Sequence, residues 1–135
     1  MLEGYFDGSC EPKNPGGTAR YGWVILDDGD VIDSGHGMIG KGEGMTNNVA
    51  EYHALIRLLS FVDSEGLFLD EIYGDSLLII NMATGRWGSN TPHKNAPHLR
   101  PLCLQARALL KKLSLPVSWI PRERNEIADA LSKLD

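Results

Sequence analysis

The sequence lacks the features that direct a protein into or across a membrane. No apolar run approaches the roughly 18 residues of a membrane helix. The first residues include Glu3 and Asp7 rather than a basic stretch followed by an apolar one, so no secretory signal is expected. Cysteine is scarce, and Cys10 and Cys103 form neither a metal-binding pair nor a disulfide framework. These absences predict a cytoplasmic protein without membrane association.

The chain also lacks internal repeats, low-complexity tracts and any long linker. Its side chains are 42% hydrophobic and 23% charged, a composition typical of globular proteins rather than disordered or fibrous ones. A chain of 135 residues is expected to fold as one domain, here residues 1–135.

Positive charge is the minority sign, and it is unevenly distributed. The formal net charge is −5, with 13 basic against 18 acidic side chains, which argues weakly against a nucleic-acid partner. Residues 86–124, however, carry eight basic side chains and one acidic one, a balance of +7. We interpret this basic segment either as a surface that faces a polyanion or as the solvated face of a helix.

Hydrophobic periodicity predicts strands first and then strands separated by helices. Residues 2–7 alternate as in a half-buried strand, and the Asp/Gly linker at 27–30 is typical of a hairpin. Apolar residues recur at helical spacing from 55 to 62, and Gly66 marks the end of that helix. The predicted strands are 2–7, 19–26, 31–39, 69–74 and 116–120, and the predicted helices are 48–66, 77–83, 99–113 and 125–134. This order predicts an α/β fold with a mixed sheet.

One carboxylate lies where the helical pattern calls for an apolar side chain. Glu51 precedes Leu55 by four residues and Leu58 by seven, so it lies over the apolar stripe of its helix. An ionised group there is costly without a partner or a metal ion. The alternative is a capping box, with Asn48 as the N-cap and Glu51 three residues later.

Three further carboxylates stand at the ends of predicted elements or on a polar helix face. Asp7 ends the first strand, and its alternative interpretation is a strand-ending turn. Asp75 follows the fourth strand, and its alternative is a helix N-cap. Asp129 lies on the polar face of the last helix, where the alternative is solvated surface. The apolar face of that helix is predicted to consist of Ile127, Leu131 and Leu134.

Together these positions indicate a metal site. If the first and fourth strands are neighbours, Asp7 and Asp75 emerge at corresponding ends of the sheet, and Glu51 can reach the same point. Converging carboxylates repel one another, and a hard divalent cation such as Mg²⁺ removes the repulsion. Two such ions activate water and stabilise a leaving oxygen. The pattern therefore indicates metal-assisted phosphodiester chemistry.

Four motifs resemble one known family over nearly the whole chain. They occupy residues 5–10 with 14–17 and 21–23, then 46–52, 73–76 and 125–132. In this order and at these spacings the sequence resembles type 1 ribonuclease H. The resemblance implies a five-stranded mixed sheet, with three antiparallel strands and then two parallel ones, flanked by helices on both faces.

The resemblance also implies an activity and a cofactor. Family members hydrolyse the RNA strand of RNA/DNA hybrids with two Mg²⁺ ions, for which Mn²⁺ is expected to substitute, and leave 3′-hydroxyl and 5′-phosphate ends. A monomer is expected. By motif, the metal ligands and catalytic carboxylates are Asp7, Glu51, Asp75 and Asp129.

A second set of positions matches substrate contacts of the family. These contacts read 2′-hydroxyls and the minor groove, a task that suits side chains able to donate and accept hydrogen bonds. Thr46 matches a position that holds a DNA-strand phosphate. The six positions are Cys10, Asn14, Thr46, Asn47, Asn48 and Ser76.

Three departures from the family pattern stand out. The loop at 119–125 has no histidine, and Arg122 is the candidate to replace it by charge. Leu77 stands where a polar or sulfur-bearing residue often contributes a base-edge contact. Residues 85–95 resemble a reduced form of a basic protrusion. Two other hypotheses stay open at this stage, a catalytically inactive binding module of the same fold and a related nuclease that acts on DNA alone.

Overall fold

Five strands of the computed structural model, which describes residues 1–135, form one sheet. The strands are β1 Leu2–Glu11, β2 Thr18–Asp27, β3 Asp30–Lys41, β4 Glu71–Gly74 and β5 Val117–Trp119. The helices are α1 Asn47–Glu65, α2 Leu77–Ala83, α3 Arg100–Leu113 and α4 Glu126–Leu131, with short 3₁₀ turns at Pro97–Leu99 and Arg122–Arg124. The spatial order is β3-β2-β1-β4-β5. The first three strands pair antiparallel, whereas β4 and β5 join in parallel, which confirms the predicted mixed sheet.

Helices cover both faces of the sheet. Helix α1 lies against β1 and β2 and also packs on α3. The side chains between these elements form the hydrophobic core, in which Phe6, Leu55, Leu58 and Ile72 are fully buried. Helix α4 covers the other face, where a Cβ at Gly22 would lie 2.6 Å from the Ala128 carbonyl oxygen. None of the helices is both long and apolar enough to cross a membrane.

Strand β1 continues four residues beyond its predicted end at Asp7. Asp7 and Gly8 pair with Gly22 and Tyr21 of β2, so the interpretation of Asp7 as part of a strand-ending turn is wrong. Gly8 is required for a different reason, because a Cβ there would lie 2.3 Å from the backbone of α1 at Ala50 and Glu51. The glycine lets the helix approach the strand closely.

The helix caps also differ from the alternatives raised by the sequence. The N-cap of α1 is Thr46, whose hydroxyl accepts from the Val49 amide at 3.1 Å. Asn48 is therefore inside the helix, and the capping-box interpretation of Glu51 is wrong. Similarly, Ser76 rather than Asp75 caps α2. The predicted end of α1 is confirmed, since Gly66 adopts a left-handed φ of 63° there.

Helix α4 is shorter than predicted and packs through a different face. Ile127 is 44% exposed and Leu134 is 46% exposed, whereas Ala128 is fully buried. The small side chain brings the helix backbone against Gly22, so close contact decides the buried face rather than the largest apolar residues. The predicted apolar face is therefore wrong for Ile127 and Leu134, whereas Leu131 lies against Gly22 as predicted.

Candidate metal centre

Three carboxylates converge where β1 and β4 stop pairing. The parallel ladder ends at Tyr5 and Tyr73, and Asp7 and Asp75 each follow two residues later. Glu51 joins them from the start of α1. One carboxylate oxygen from each of Asp7, Glu51 and Asp75 lies within 4.8 Å of those of the other two. The predicted convergence is present, and we call these three residues the carboxylate cluster.

Glu51 reaches this point because α1 is pressed against β1 at Gly8. Its side chain is buried, and no donor reaches its Oε2 atom. A buried carboxylate oxygen without a donor lowers the stability of the fold. Such an oxygen binds a hard cation well, so the residues fit a divalent metal ion.

The protonation of the cluster reflects burial and mutual repulsion. Burial raises the pKa of Asp7 to about 7, with the carboxylates of Asp75 and Asp129 adding to the shift and a hydrogen bond with Glu51 opposing it. Burial, followed by the charge of Asp7, raises the pKa of Glu51 well above its ordinary value. The cluster therefore resists full ionisation until a cation compensates its charge.

Asp129 lies at the edge of the cluster in the same cavity of about 500 Å³. Its Oδ1 atom is 3.5 Å from Lys133 Nζ and 3.7 Å from Arg122 Nη2. Both cations line the cavity, so positive charge lies beside Asp129 in the site. The interpretation of Asp129 as plain solvated surface does not account for these contacts.

Lys133 also lines the cavity, although no motif in the sequence predicts it as a site residue. Its amine lies between Asp129 and Glu11, at 3.8 Å from Glu11 Oε1. The available signal was its spacing of four residues from Asp129, which places both side chains on one helix face. Such a pair is common on exposed helices and carries no information about a cavity.

Five of the six predicted substrate residues lie at the end of β1, in the loop after it or at the start of α1, and Ser76 caps α2. Cys10, Asn47 and Ser76 line the cavity, whereas Asn14, Thr46 and Asn48 do not. The Asn14 side-chain oxygen accepts from the Asn47 amide at 3.0 Å. The Cys10 thiol contacts the Lys13 and Met45 carbonyls at 3.3 and 3.6 Å. These bonds fix the two segments relative to each other.

Four of the eight cations of the basic segment contact other groups of the protein, and all of these except Arg122 lie outside the cavity. Arg107 donates to four backbone carbonyls between Met82 and Ser89, and Arg100 donates to the Pro92 carbonyl. Lys112 pairs with Asp63 at 2.9 Å. These three hold the loop at 84–96 and the surface of α1, so the charge of the segment is not all directed to one ligand surface.

The chain resembles known proteins over almost its whole length. A family model described as reverse transcriptase-like matches residues 5–134. Ribonuclease HI of Halobacterium salinarum is 38% identical over 133 residues, which are 97% of this chain and 62% of that protein. A bifunctional protein of Mycobacterium tuberculosis is 36% identical over 122 residues, 88% of this chain and 31% of that protein. The chain thus spans less than two thirds of either relative.

Solved structures give full-length matches. The crystal structure of RNase H1 from Halobacterium salinarum has a TM-score of 0.81 at 37% identity, covering 96% of this chain and 92% of that one. LC11-RNase H1 in complex with an RNA/DNA hybrid has a TM-score of 0.80 at 30% identity, with 97% and 93% covered. The N-terminal RNase H domain of the mycobacterial protein has a TM-score of 0.79 at 32% identity, with 96% and 94% covered.

Proposed function

This chain belongs to the type 1 ribonuclease H family, and on that premise we propose that it is a metal-dependent endonuclease. Its substrate is the RNA strand of RNA/DNA hybrids, and its products carry 3′-hydroxyl and 5′-phosphate ends. The observation that carries the proposal is the convergence of Asp7, Glu51 and Asp75 within 4.8 Å. The proposed active unit is a monomer in which residues 1–135 form one domain.

In this proposal Asp7, Glu51, Asp75 and Asp129 hold two Mg²⁺ ions, with Mn²⁺ able to replace them. Carboxylate oxygens are the ligands that these hard cations prefer. Bound there, the ions supply water activation and stabilisation of the leaving oxygen. The orphaned Oε2 of Glu51 and the raised pKa of Asp7 support the assignment, since both indicate missing positive charge.

Arg122 and Lys133 supply positive charge beside Asp129. Arg122 takes the place of the absent loop histidine in this proposal. A guanidinium does not give up its proton in a protein, so Arg122 acts by attracting and holding a phosphate rather than by transferring a proton. Lys133 offers a second cation to the same substrate backbone.

The six predicted substrate residues are proposed to bind the hybrid. The hydroxyls of Thr46 and Ser76 accept backbone hydrogen bonds as helix caps, which leaves their O–H groups free to donate to phosphate or sugar oxygens. Cys10, Asn14, Asn47 and Asn48 complete the set. Amide side chains are suited to 2′-hydroxyls because they both donate and accept hydrogen bonds.

Cleavage of a hybrid with labelled RNA tests the proposal. Wild-type protein is expected to cut the RNA strand in Mg²⁺, and excess EDTA is expected to stop it. Asp7→Asn should lower the rate at least about 1,000-fold, because metal ions contribute several kcal/mol to transition-state stabilisation. Asp63→Asn, the same change at a surface ion pair with Lys112, should cleave like wild type.

The other hypotheses make different predictions in the same assay. Cleavage in excess EDTA, or by Asp7→Asn at the wild-type rate, would contradict the metal-dependent mechanism. Tight hybrid binding without turnover in Mg²⁺ or Mn²⁺ would identify an inactive binding module. Cleavage of duplex DNA in preference to the hybrid would identify a nuclease that acts on DNA.

A further inference from the structure

The segment from Trp119 to Asn125 contacts Asp75 at both of its ends. The indole Nε1 of Trp119 donates to the Asp75 backbone carbonyl at 3.0 Å. The side-chain Nδ2 of Asn125 donates to Asp75 Oδ2, also at 3.0 Å. One end of the segment therefore fixes the backbone of Asp75, and the other end fixes its carboxylate.

Asn125 also joins β1 to Asp75 beyond the end of the β1–β4 ladder. The ladder stops at Tyr5 and Tyr73, so no backbone pairing holds Asp75 beside Asp7. The same Nδ2 atom of Asn125 donates to the Phe6 carbonyl at 2.9 Å, and Phe6 directly precedes Asp7. One amide group thus spans the two strands at the point where their carboxylates must stay together.

Asn125 is poorly explained as a residue that only stabilises the fold. Its side chain is 1% exposed, and no donor reaches its Oδ1 atom. Burying an amide oxygen without a partner costs folding free energy. The orientation of the group is instead set by the two bonds of Nδ2, and one of these ends on the carboxylate cluster.

We propose that Asn125 and Trp119 are positioning residues that fix the Asp75 carboxylate for metal binding. This inference rests on the proposed function, because it requires Asp75 to be a metal ligand. A neutral N–H donor on Oδ2 orients the carboxylate and leaves Oδ1 for a cation. A positively charged donor at the same place would compensate the negative charge that attracts the metal.

The same segment carries Arg122, so it couples this cation to Asp75. The Asn125 amide donates to the Arg122 carbonyl at 2.9 Å, and the Arg124 amide donates to the Pro121 carbonyl at 3.0 Å. These bonds form the short 3₁₀ turn between the two anchored ends. The turn therefore sets the position of the Arg122 guanidinium relative to the Asp75 carboxylate, because the two ends of the segment hold Asp75.

Metal affinity measured without substrate tests the inference. Mn²⁺ titrations followed by thermal denaturation give an apparent dissociation constant for wild type, Asn125→Ala and Trp119→Phe. Loss of a group that orients a metal ligand typically weakens metal affinity by about 10–100-fold, and we expect a loss in this range for Asn125→Ala. Trp119→Phe keeps the ring and removes the N–H, so a smaller loss, about 10-fold at most, is expected.

Two matched variants control for general destabilisation. Asn81→Ala removes another buried amide, 8% exposed and outside the cavity, and Trp87→Phe makes the indole-to-phenyl change at a distant loop. Both should bind Mn²⁺ like wild type. Because Trp119 is 49% exposed, its variant keeps the test open even if Asn125→Ala fails to fold.

The outcomes separate this inference from the proposed function. The positioning role would be overturned if Asn125→Ala and Trp119→Phe bound Mn²⁺ as tightly as wild type. It would also be overturned if Asn81→Ala lost as much Mn²⁺ affinity as Asn125→Ala. In either case hybrid cleavage by wild type would leave the proposed function intact. A wild-type protein that binds Mn²⁺ but does not cleave the hybrid would refute the proposed function and leave the positioning role measurable. No stabilisation of wild type by Mn²⁺ would refute both.

Discussion

Glu51 and Tyr52 are neighbours in α1 but belong to two different buried polar clusters. The clusters differ in whether their buried polar atoms have hydrogen-bond partners. Glu51 belongs to the carboxylate cluster, which contains three acidic groups and a buried oxygen without a donor. Tyr52 belongs to a second cluster with His93 and Cys103, which we call the loop cluster. There the Tyr52 hydroxyl shares a hydrogen bond with His93 Nε2, and the Cys103 thiol contacts the Met82 carbonyl at 3.5 Å.

The loop cluster is complete without a ligand, whereas the carboxylate cluster is not. Tyr52 and His93 stay neutral at pH 7, because burial lowers the pKa of His93 and raises that of Tyr52, with Arg107 adding to the first shift and Cys103 to the second. It anchors the loop at 84–96, whose carbonyls Arg107 also binds. In the loop cluster, buried polar groups with neutral partners stabilise the loop. In the carboxylate cluster, buried groups of like charge require a cation.

The largest expected contrast comes from removing one polar group from each cluster. Glu51→Gln removes a carboxyl group whose ionisation is opposed by burial and by the charge of Asp7, so the metal-free protein at pH 7 should gain about 1–3 kcal/mol in free energy of unfolding. Tyr52→Phe leaves His93 without its partner and should cost about 1–3 kcal/mol, since unpaired buried polar groups carry penalties of this size. Urea denaturation in EDTA measures both. If both variants changed the free energy of unfolding in the same direction, the contrast between the two clusters would be contradicted.

The two clusters should also respond to pH in opposite directions. The raised pKa of Asp7, about 7, means that the folded state binds this proton more tightly than the unfolded chain. Its contribution to stability is fully present below the ordinary carboxyl pKa and is lost as the pH rises through about 7. Metal-free wild type should therefore lose stability relative to Asp7→Asn between pH 4 and pH 7.

His93 provides the matched control, because its lowered pKa means that the folded state binds the proton more weakly. Its contribution is lost as the pH falls below the ordinary value of 6.5. His93→Asn removes this titration and tolerates the left-handed φ of 54°. The part of the tryptophan fluorescence that Trp87→Phe removes reports the loop. Loosening of the loop in wild type as the pH increases would contradict the lowered pKa of His93.

Local patterns predicted the elements and the convergence of the carboxylates, but they did not predict what supports them. The positions of Asp7, Glu51 and Asp75 follow from strand ends, helical spacing and motifs, all of which are visible within a few residues. Asn125 contacts Phe6 across 119 residues of chain, and Tyr52 contacts His93 across 41. No short-range pattern indicates such pairs.

Close backbone contacts account for the errors in the predicted elements. Gly8 resembled a turn residue because Asp-Gly usually ends a strand, yet it admits α1 against β1. Ile127 was predicted to be buried because large apolar side chains normally are, yet the smaller Ala128 lets α4 approach Gly22. In both cases the role of the residue depends on how closely a strand and a helix approach each other at that point.

Thermal denaturation with and without Mg²⁺ tests most directly whether the unsatisfied cluster is a metal centre. At pH 7 the melting temperature of wild type and of Tyr52→Phe should rise by the same amount on adding Mg²⁺, because both retain the carboxylates. Glu51→Gln should melt higher than wild type in EDTA and gain little from Mg²⁺. An equal Mg²⁺-dependent rise in Glu51→Gln, or no rise in wild type, would contradict the account.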